Sequence, residues 1–527
     1  MQSPAAFPDP APVYDVAVVG CGPVGALAAN LLGQAGLSVL VIDRERDPHP
    51  LPRAVHVDHE MLRLFQTTGL IDRLYPLMRE TEGHLHVGAD HGVIRYMGTA
   101  GRAKPFGWAN DYFFYQPELE ALLRGGLDRF PGVELRLGAE FTGLVQDDDG
   151  VTLRLSDGTV RARWVIACDG ARSPVRKALG IELDDLGFEE PWLVVDADTD
   201  GPVHFPDLWG VPAEADLQRL SVMMCDPARP ATIVPGRGTM RRWEFMLLPG
   251  EDDAAMMQPD AVAALLDPYL AGVPHTLLRA ATYRFHGLVA EQWQAGRVFL
   301  AGDAAHQTPP FFGQGMCHGM RDVANLAWKL ELVVRGIADA RLLDTYQPER
   351  DPHVRAVIDA AVAAGRYICE LDPAKAAARD REIRQRAGQP ATAAELIPPL
   401  AAGAIAAGTP GAGARWVQPR LGGRLLDDIT GPGWRLFTRA EQPAADALAP
   451  VPLGIWTLDD VADDGTLAGW LDTHGAASVL VRPDHYVFGT AARGGADALL
   501  RQARAALAEI DRPVAATGRA AIVGDTK

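Results

Sequence analysis

Cysteine is scarce in this chain, with five residues in 527, at positions 21, 168, 225, 317 and 369. None forms a C-x-x-C pair or a metal-like spacing. A disulfide framework and a cysteine-bound metal are therefore both unsupported, and the odd, scattered set points to a reducing cytoplasm. Positive charge is also short: the formal net charge is −18. That argues against nucleic acid and anionic membranes as partners, although surface acidity also serves plain solubility. Residues 1–13 are proline-rich, lack a basic n-region and read as a loose arm rather than a signal peptide. The apolar run that follows is soon broken by glycines and is no membrane span. Hydrophobic residues make up 48% and charged residues 22%, the mixture of a globular protein, and the length calls for two to four domains.

The densest signal lies between Tyr14 and Arg44. Val16–Val19 is an apolar, β-branched run that predicts a strand. Gly20, Cys21, Gly22, Pro23, Val24 and Gly25 follow, then an Ala- and Leu-rich helical stretch to about Gln34 that stops at Gly36. A second strand, about Ser38 to Ile42, ends at Asp43-Arg44. Gly20 permits a tight turn, Gly22 lets backbone approach a pyrophosphate, and Gly25 lets helix and strand pack closely. The helix N-terminus offers unpaired N–H groups and a positive dipole end. Asp43 is placed to accept hydrogen bonds from both hydroxyls of an adenosine ribose. The plain alternative is an ordinary buried βαβ unit, and the motif alone does not choose between NAD and FAD.

Further on, Pro52-Arg53-Ala54 leads into a helix expected from about Asp58 to Thr68. Arg53 reads either as a solvated loop cation or as a phosphate or flavin contact. Residues 83–115 alternate in polarity like strands, and Gln116-Pro117-Glu118 opens a helix with proline in its first turn. Runs at 133–137, 141–146, 151–155 and 160–164 predict a β-meander. Its Asp147-Asp148-Asp149-Gly150 and Ser156-Asp157-Gly158 segments are turns, the first lacking the full calcium-loop pattern. A buried strand, 164–167, ends at Cys168-Asp169-Gly170-Ala171-Arg172-Ser173. Residues 190–290 carry enough strand signal for a separate sheet.

The second dense stretch is a buried strand at 297–301, then Gly302-Asp303-Ala304-Ala305-His306, Pro309-Pro310, Gly313-Gln314-Gly315-Met316 and a helix from about Met316 to Arg335. A glycine loop feeding a helix N-terminus appears here a second time, and its dipole suits the negative side of a reduced flavin. His306 reads as a cap or core residue. Another helix is expected over 341–366 and a connection over 370–415. Strands near 434–437 and 478–482 and a helix near 496–510 suggest a small domain at the C-terminal end.

Taken together, the glycine motif, the Asp169-Gly170 turn and the Gly302-Asp303 loop resemble the three fingerprints of the class A flavoprotein aromatic hydroxylases, the p-hydroxybenzoate and phenol hydroxylase group. Pro52-Arg53-Ala54, the stretch Arg241–Gly250 and Phe311–Leu330 look most like the 3-(3-hydroxyphenyl)propionate hydroxylases within it. The resemblance implies an α/β fold: an FAD-binding Rossmann-like domain of glutathione-reductase type over 14–190 and 285–400, an inserted substrate-binding sheet over 190–285, and a thioredoxin-like domain over 416–527. That last domain has no cysteine beyond 369 and so no dithiol chemistry; its plain role is structural or in a homodimer contact.

By the same resemblance, Gly20, Gly22, Pro23, Val24 and Gly25 cradle the FAD pyrophosphate, with Asp43 and Arg44 at the ribose end. Arg53 and Gln116 lie along the flavin. Asp169 touches FAD and is linked to the nicotinamide. Gly302 and Asp303 hold the ribityl and phosphate region, and Pro309, Gly315, Met316 and Cys317 form the loop against the isoalloxazine. Cys317 stands where relatives often carry Asn, which is tolerated if the contact is through backbone N–H. The implied reaction is reduction of FAD by NADH or NADPH at a transient site, capture of O2 as a C4a-hydroperoxide, and oxygen transfer to a small phenolic substrate. The cofactor then carries the hard chemistry, which accounts for the lack of a catalytic triad or metal cluster. The phenol-activating base is open: His56, Tyr112, Arg242 and His286 are candidates only by expected nearness to the cavity, and Pro309 is a further catalytic-site candidate through its place in the flavin loop. Two other readings share parts of the pattern, a hydroxylase of polycyclic aromatic polyketides and a non-catalytic flavoprotein-fold binding module.

Overall fold

The computed structural model describes residues 13–386, 397–439, 443–444 and 446–508. Most of the expected N-terminal arm and the last part of the expected C-terminal domain lie outside the described residues.

The first strand, Val13–Val19, is the centre of a mostly parallel sheet. It pairs in parallel with Val39–Asp43 on one side and with Gly158–Ala167 on the other. Val298–Leu300 extends the sheet beyond Gly158–Ala167. The helix Pro23–Gln34 crosses between the first two strands and buries its Ala- and Leu-rich surface. The strand residues are buried on both faces, and Pro23–Gln34 packs against the helices Gln116–Gly125 and Gly315–Val334. The ends of the strands carrying Gly20, Cys168 and Ala301 line up, so the three motif-bearing loops leave the sheet side by side.

Two sequence expectations change. Val133–Leu137 does not join a meander; it pairs in parallel with Val39–Asp43 at the edge of the main sheet. The meander is instead made of Phe141–Gln146, Val151–Leu155 and Gly158–Ala167, and the two strands expected at 160–164 and 164–167 are one. A β-branched alternating run looks the same whether its partner is parallel or antiparallel, so local pattern could not separate these cases.

The second sheet has eight strands. Its two longest, Leu183–Thr199 and His275–Ala290, pair antiparallel along nearly their whole length. The expected domain bounds at 190 and 285 fall inside these strands. Met240–Met246, Ala231–Pro235 and Ser221–Met224 follow, and Gly83–Val87 with Val93–Gly98 complete the sheet from the earlier part of the chain. Alternation divides its faces. Leu193, Val195, Trp243 and Phe245 pack on one side with Leu266 and Tyr269 of the helix Pro259–Leu270. Trp192, Met223 and Met246 face the other way and join the core of the main domain.

The C-terminal part holds a four-stranded mixed sheet in the order Leu453–Thr457, Trp434–Thr438, Ser478–Val481, Val487–Ala491. It docks through buried charges. Glu349 binds Lys329 at 2.9 Å and Arg482 at 2.7 Å, all three side chains being fully buried. Arg63 is paired with Asp427 at 2.6 Å. Among the described residues no helix is long and apolar enough to cross a membrane.

Candidate active site

The glycine turn has the shape its sequence predicts. Gly20 has φ +99°, and a Cβ there would collide with the Cys168 carbonyl. A Cβ on Gly25 would collide with the carbonyl oxygen of Gly20. Gly22 differs: it caps the helix Pro23–Gln34 with φ −70°, no side chain caps it, and a Cβ there would meet nothing within 4 Å. No side chain therefore caps the N–H groups of Val24 and Gly25 at the start of this helix. Val24 packs against Gly302 and Gly319 and joins this turn to the second loop.

Asp43 accepts from Cys21 N at 2.6 Å and from Glu45 N at 2.8 Å, which braces the turn from the adjacent strand. Arg44 is exposed and pairs with Glu45. The sequence reading missed Arg124. Its Nε donates to Cys21 O at 2.8 Å, its Nη2 meets Glu120 at 2.8 Å, and its buried Nη1 has no partner among the described residues. A cation with an unused donor beside a glycine turn suits a phosphate oxygen.

Asp169 accepts from Ser173 Oγ at 2.5 Å and Val175 N at 3.0 Å, while burial pushes its carboxyl pKa up. Ser173 caps the helix Pro174–Ala178. Arg176 donates to Ala171 O and Ala304 O, both at 3.3 Å, and so ties the Asp169-Gly170 turn to the Gly302-Asp303 loop. Gly302 takes φ +60°, and its N–H donates to Asp322 at 3.0 Å. The same carboxylate holds His306 at 2.7 Å and Arg350 at 2.9 Å. His306 is wholly buried in this structural knot. Asp303 is exposed and has no protein partner among the described residues.

Pro309 leads into a short turn that ends at Gly313 with φ +63°. The helix Gly315–Val334 then starts with no side-chain cap and no acid in its first turn. Its leading N–H groups, at Gly315, Met316 and Cys317, form a second donor set with no side-chain cap. Cys317 is buried, with Sγ 3.9 Å from Gly313 O, so its side chain turns inward and its backbone keeps the loop-facing position. Arg53 is exposed, and Gln116 fixes it from behind by accepting from Arg53 N at 3.0 Å and Ala54 N at 2.7 Å.

Most candidate bases are committed elsewhere. His56 is buried beneath the loop, with Nε2 2.7 Å from Asp111 Oδ1 and Nδ1 3.1 Å from Gly313 O. Both nitrogens face acceptors, which favours the imidazolium. Burial alone would lower its pKa, but the bonds to Asp111 and Cys317 outweigh that and hold it well above the usual histidine range. Tyr112 accepts from Ala109 N at 2.9 Å, and burial drives its hydroxyl pKa upward, so it is a poor proton acceptor. Arg242 is locked: Nε and Nη2 bind Asp196 at 2.7 and 3.0 Å, and its Nη atoms donate to Pro52 O and Arg53 O. It holds the Pro52–Ala54 segment and is not free to clamp a substrate carboxylate. His286 neighbours Glu189 at 4.0 Å, on the opposite side of its strand from Phe285, which packs against Phe311. Trp192, Phe188 and Phe285 meet Phe311 at 5.8 to 6.4 Å between centroids and make an aromatic wall beside the loop. Among the described residues no group of three or more His, Cys, Asp or Glu side chains could hold a metal ion.

Two uncapped helix starts, an open glycine, the unpartnered Asp303 and Arg53, and the spare Arg124 donor gather at the loop end of the main sheet. This donor set fits an extended dinucleotide with a pyrophosphate at one end and an electron-accepting ring at the other. The fold and site define an FAD-binding protein. A model of the FAD binding domain family matches residues 13–361, and one of the HcaD C-terminal domain matches 452–506.

The chain belongs to the FAD-dependent aromatic hydroxylases. It is 37% identical to a 3-(3-hydroxy-phenyl)propionate/3-hydroxycinnamic acid hydroxylase of Burkholderia cenocepacia (strain HI2424), covering 90% of this chain and 93% of that protein. It is also 37% identical to a probable NADH-specific resorcinol 4-hydroxylase of Rhodococcus jostii (strain RHA1), covering 95% and 97%. Among solved structures it resembles the flavin-dependent monooxygenase PieE in complex with FAD and substrate, at TM-score 0.80 and 25% identity, covering 95% of this chain and 100% of that one. A ternary complex of aklavinone-11 hydroxylase with FAD and aklavinone matches at TM-score 0.74 and 26% identity, covering 94% and 99%.

Proposed function

We propose that this enzyme hydroxylates a single-ring phenol, of the kind represented by 3-(3-hydroxyphenyl)propionate or resorcinol, with NADH or NADPH as transient reductant and O2 as oxidant. The observation that carries this reading is the uncapped start of the Gly315–Val334 helix facing the crevice beneath an aromatic wall. Bound FAD, once reduced, supplies the activated oxygen atom. The chain's own residues do the rest. N–H groups at Gly22, Val24 and Gly25 bind the pyrophosphate, with Arg124 as a charge-assisted donor, and Asp43 orients the ribose. Asp303 and Arg53 hold the middle of the cofactor. Donors at Gly315, Met316 and Cys317 stabilise negative charge on the ring, helped by the helix dipole and by the buried His56 cation under Gly313. Trp192, Phe188, Phe285 and Phe311 back the loop with apolar packing that keeps water from it.

The stronger identity to single-ring hydroxylases than to the aklavinone enzyme favours a small phenol over a polycyclic polyketide. The C-terminal sheet is read as a thioredoxin-like module without dithiol chemistry, serving structure or a homodimer contact. The five thiols, all unpaired, suit a cytoplasmic enzyme. The test is oxidation of NADH and NADPH by the purified protein with each phenol under labelled O2. One labelled oxygen atom in the product supports the reading. A colourless protein, or hydrogen peroxide as the sole product, refutes it.

A further inference from the structure

The second sheet carries a carboxylate that the site as described does not use. On the strand Met240–Met246, Trp243 and Phe245 point into the far core, so Arg242, Glu244 and Met246 face the FAD domain. Glu244 stands opposite Thr232 on one neighbouring strand and Val194 on the other. Two residues away on the same face, Arg242 grips Pro52 O and Arg53 O, the segment at the flavin side of the crevice. On the other side Met246 joins the core that includes Trp192 and Phe311 of the aromatic wall. Glu244 therefore projects between the anchored Pro52–Arg53 segment and the aromatic wall. Its side chain is only partly buried and makes no hydrogen bond or ion pair among the described residues.

The charged groups facing Glu244 are Arg242 on its own strand, Asp196 on the strand Leu183–Thr199 and Arg279 on the strand His275–Ala290. Both arginines are already engaged. Arg242 is bidentate on Asp196, and Arg279 approaches Asp196 at 3.4 Å and donates to Pro52 O at 2.7 Å. The nearby positive charge is thus largely spent on Asp196, and Glu244 is left as an unpaired acceptor in a desolvated niche.

We infer that Glu244 is the catalytic base that takes the phenolic proton, an assignment that rests on the aromatic hydroxylase reading above. As the O–H bond breaks toward the Glu244 carboxylate, the ring electron pair forms the new carbon–oxygen bond. One atom of O2 enters the ring. The other leaves as water, taking the proton lost from the hydroxylated carbon. Glu244 then returns its proton to the ring oxygen as aromaticity is restored, and the two electrons come from NADH or NADPH. Burial pushes the Glu244 carboxyl up to about 7, against the partial opposition of Arg242, which poises it for exchange near neutral pH.

The experiment uses the FAD-loaded full chain with NADH, resorcinol and 3-(3-hydroxyphenyl)propionate as probes, and product formation measured against pH. In the native protein kcat for hydroxylation rises with pH through a limb near 7, and that limb stays in place when resorcinol is replaced by a more acidic ring-fluorinated resorcinol. Glu244→Gln lowers the hydroxylation rate by ~100-fold or more and abolishes the limb, while FAD content and KM stay within a few-fold of native and NADH is diverted to hydrogen peroxide. Glu244→Asp restores part of the rate together with the limb, and the fluorinated phenol recovers part of the loss in Glu244→Gln. A Glu244→Gln rate within threefold of native with the limb retained overturns the assignment. So does a native limb that moves with the acidity of the phenol, a result that needs no variant. Native protein that oxidises NADH but hydroxylates neither probe overturns the functional reading, and the base assignment falls with it.

Discussion

Alanine at Gly22 and at Gly25 should damage the protein in different ways. At Gly22 the backbone is extended, φ −70° and ψ −174°, and a Cβ meets nothing within 4 Å. Folding therefore loses only the cap preference of glycine over alanine, about 1 kcal/mol or less. The same methyl group occupies the space into which the first-turn N–H groups point. Displacing a phosphate from two such donors forfeits two hydrogen bonds to a charged group, about 1.5–3 kcal/mol each. Gly22→Ala should thus weaken FAD binding by roughly 10²- to 10⁴-fold while the apoprotein melts within a few degrees of native. At Gly25 the added Cβ would sit closer than 3.0 Å to the Gly20 carbonyl, a separation that real Cβ atoms essentially never show. Helix and strand must then part, so Gly25→Ala should lower apoprotein melting as well as FAD affinity. The assay is titration of apoprotein with FAD, followed by fluorescence quenching, paired with thermal melting in the absence of FAD. Native-like FAD affinity in Gly22→Ala would refute the placement of the pyrophosphate.

Three other outcomes follow from the same geometry. Asp303→Ala should cut FAD affinity about tenfold or more, by loss of a charge-assisted bond, with no loss of apoprotein stability because the carboxylate has no protein partner among the described residues; equilibrium dialysis checks it. His56 has a folded pKa raised well above its unfolded value, so its stabilisation is fully present below about pH 6.5 and is lost as pH rises through the folded pKa. The melting gap between native protein and His56→Gln should therefore hold below about pH 6.5 and shrink as pH rises above it, and a gap that widens with pH would contradict the imidazolium. Glu349→Gln leaves Lys329 and Arg482 buried without their shared carboxylate and should cost about 3–5 kcal/mol of stability. Denaturant unfolding followed by tryptophan fluorescence measures that loss.

The cofactor crevice was legible in sequence because each of its parts is local. Gly20, Gly22 and Gly25 lie within six residues, and the positive φ at Gly20 and Gly302 is a demand that few side chains meet. Gly313-Gln314-Gly315 before a helix is a similar short-range signal. The substrate side was less legible because it is made across strands. Glu244 acquires its meaning only when Trp243 and Phe245 are known to face the far core. Arg242 stood among the candidates near the cavity until Asp196, 46 residues away, took its guanidinium. Arg124 reaches the glycine turn from a helix 103 residues downstream of Cys21. The strands Gly83–Val87 and Val93–Gly98 joined the second sheet through a parallel pairing with Ser221–Met224 that alternation cannot foretell.

The buried charges that dock the C-terminal sheet have a consequence for how such a chain can diverge. Lys329 and Asn325, which meet Glu349, sit on the same helix whose opening turn carries Gly315 and Cys317. A tail borrowed from a homologue must therefore present a matching guanidinium where Arg482 stands, or the misfit lodges in the rod that carries the flavin loop at its tip. Drift in the last hundred residues and drift around the isoalloxazine are then yoked, although the two regions share no chemistry.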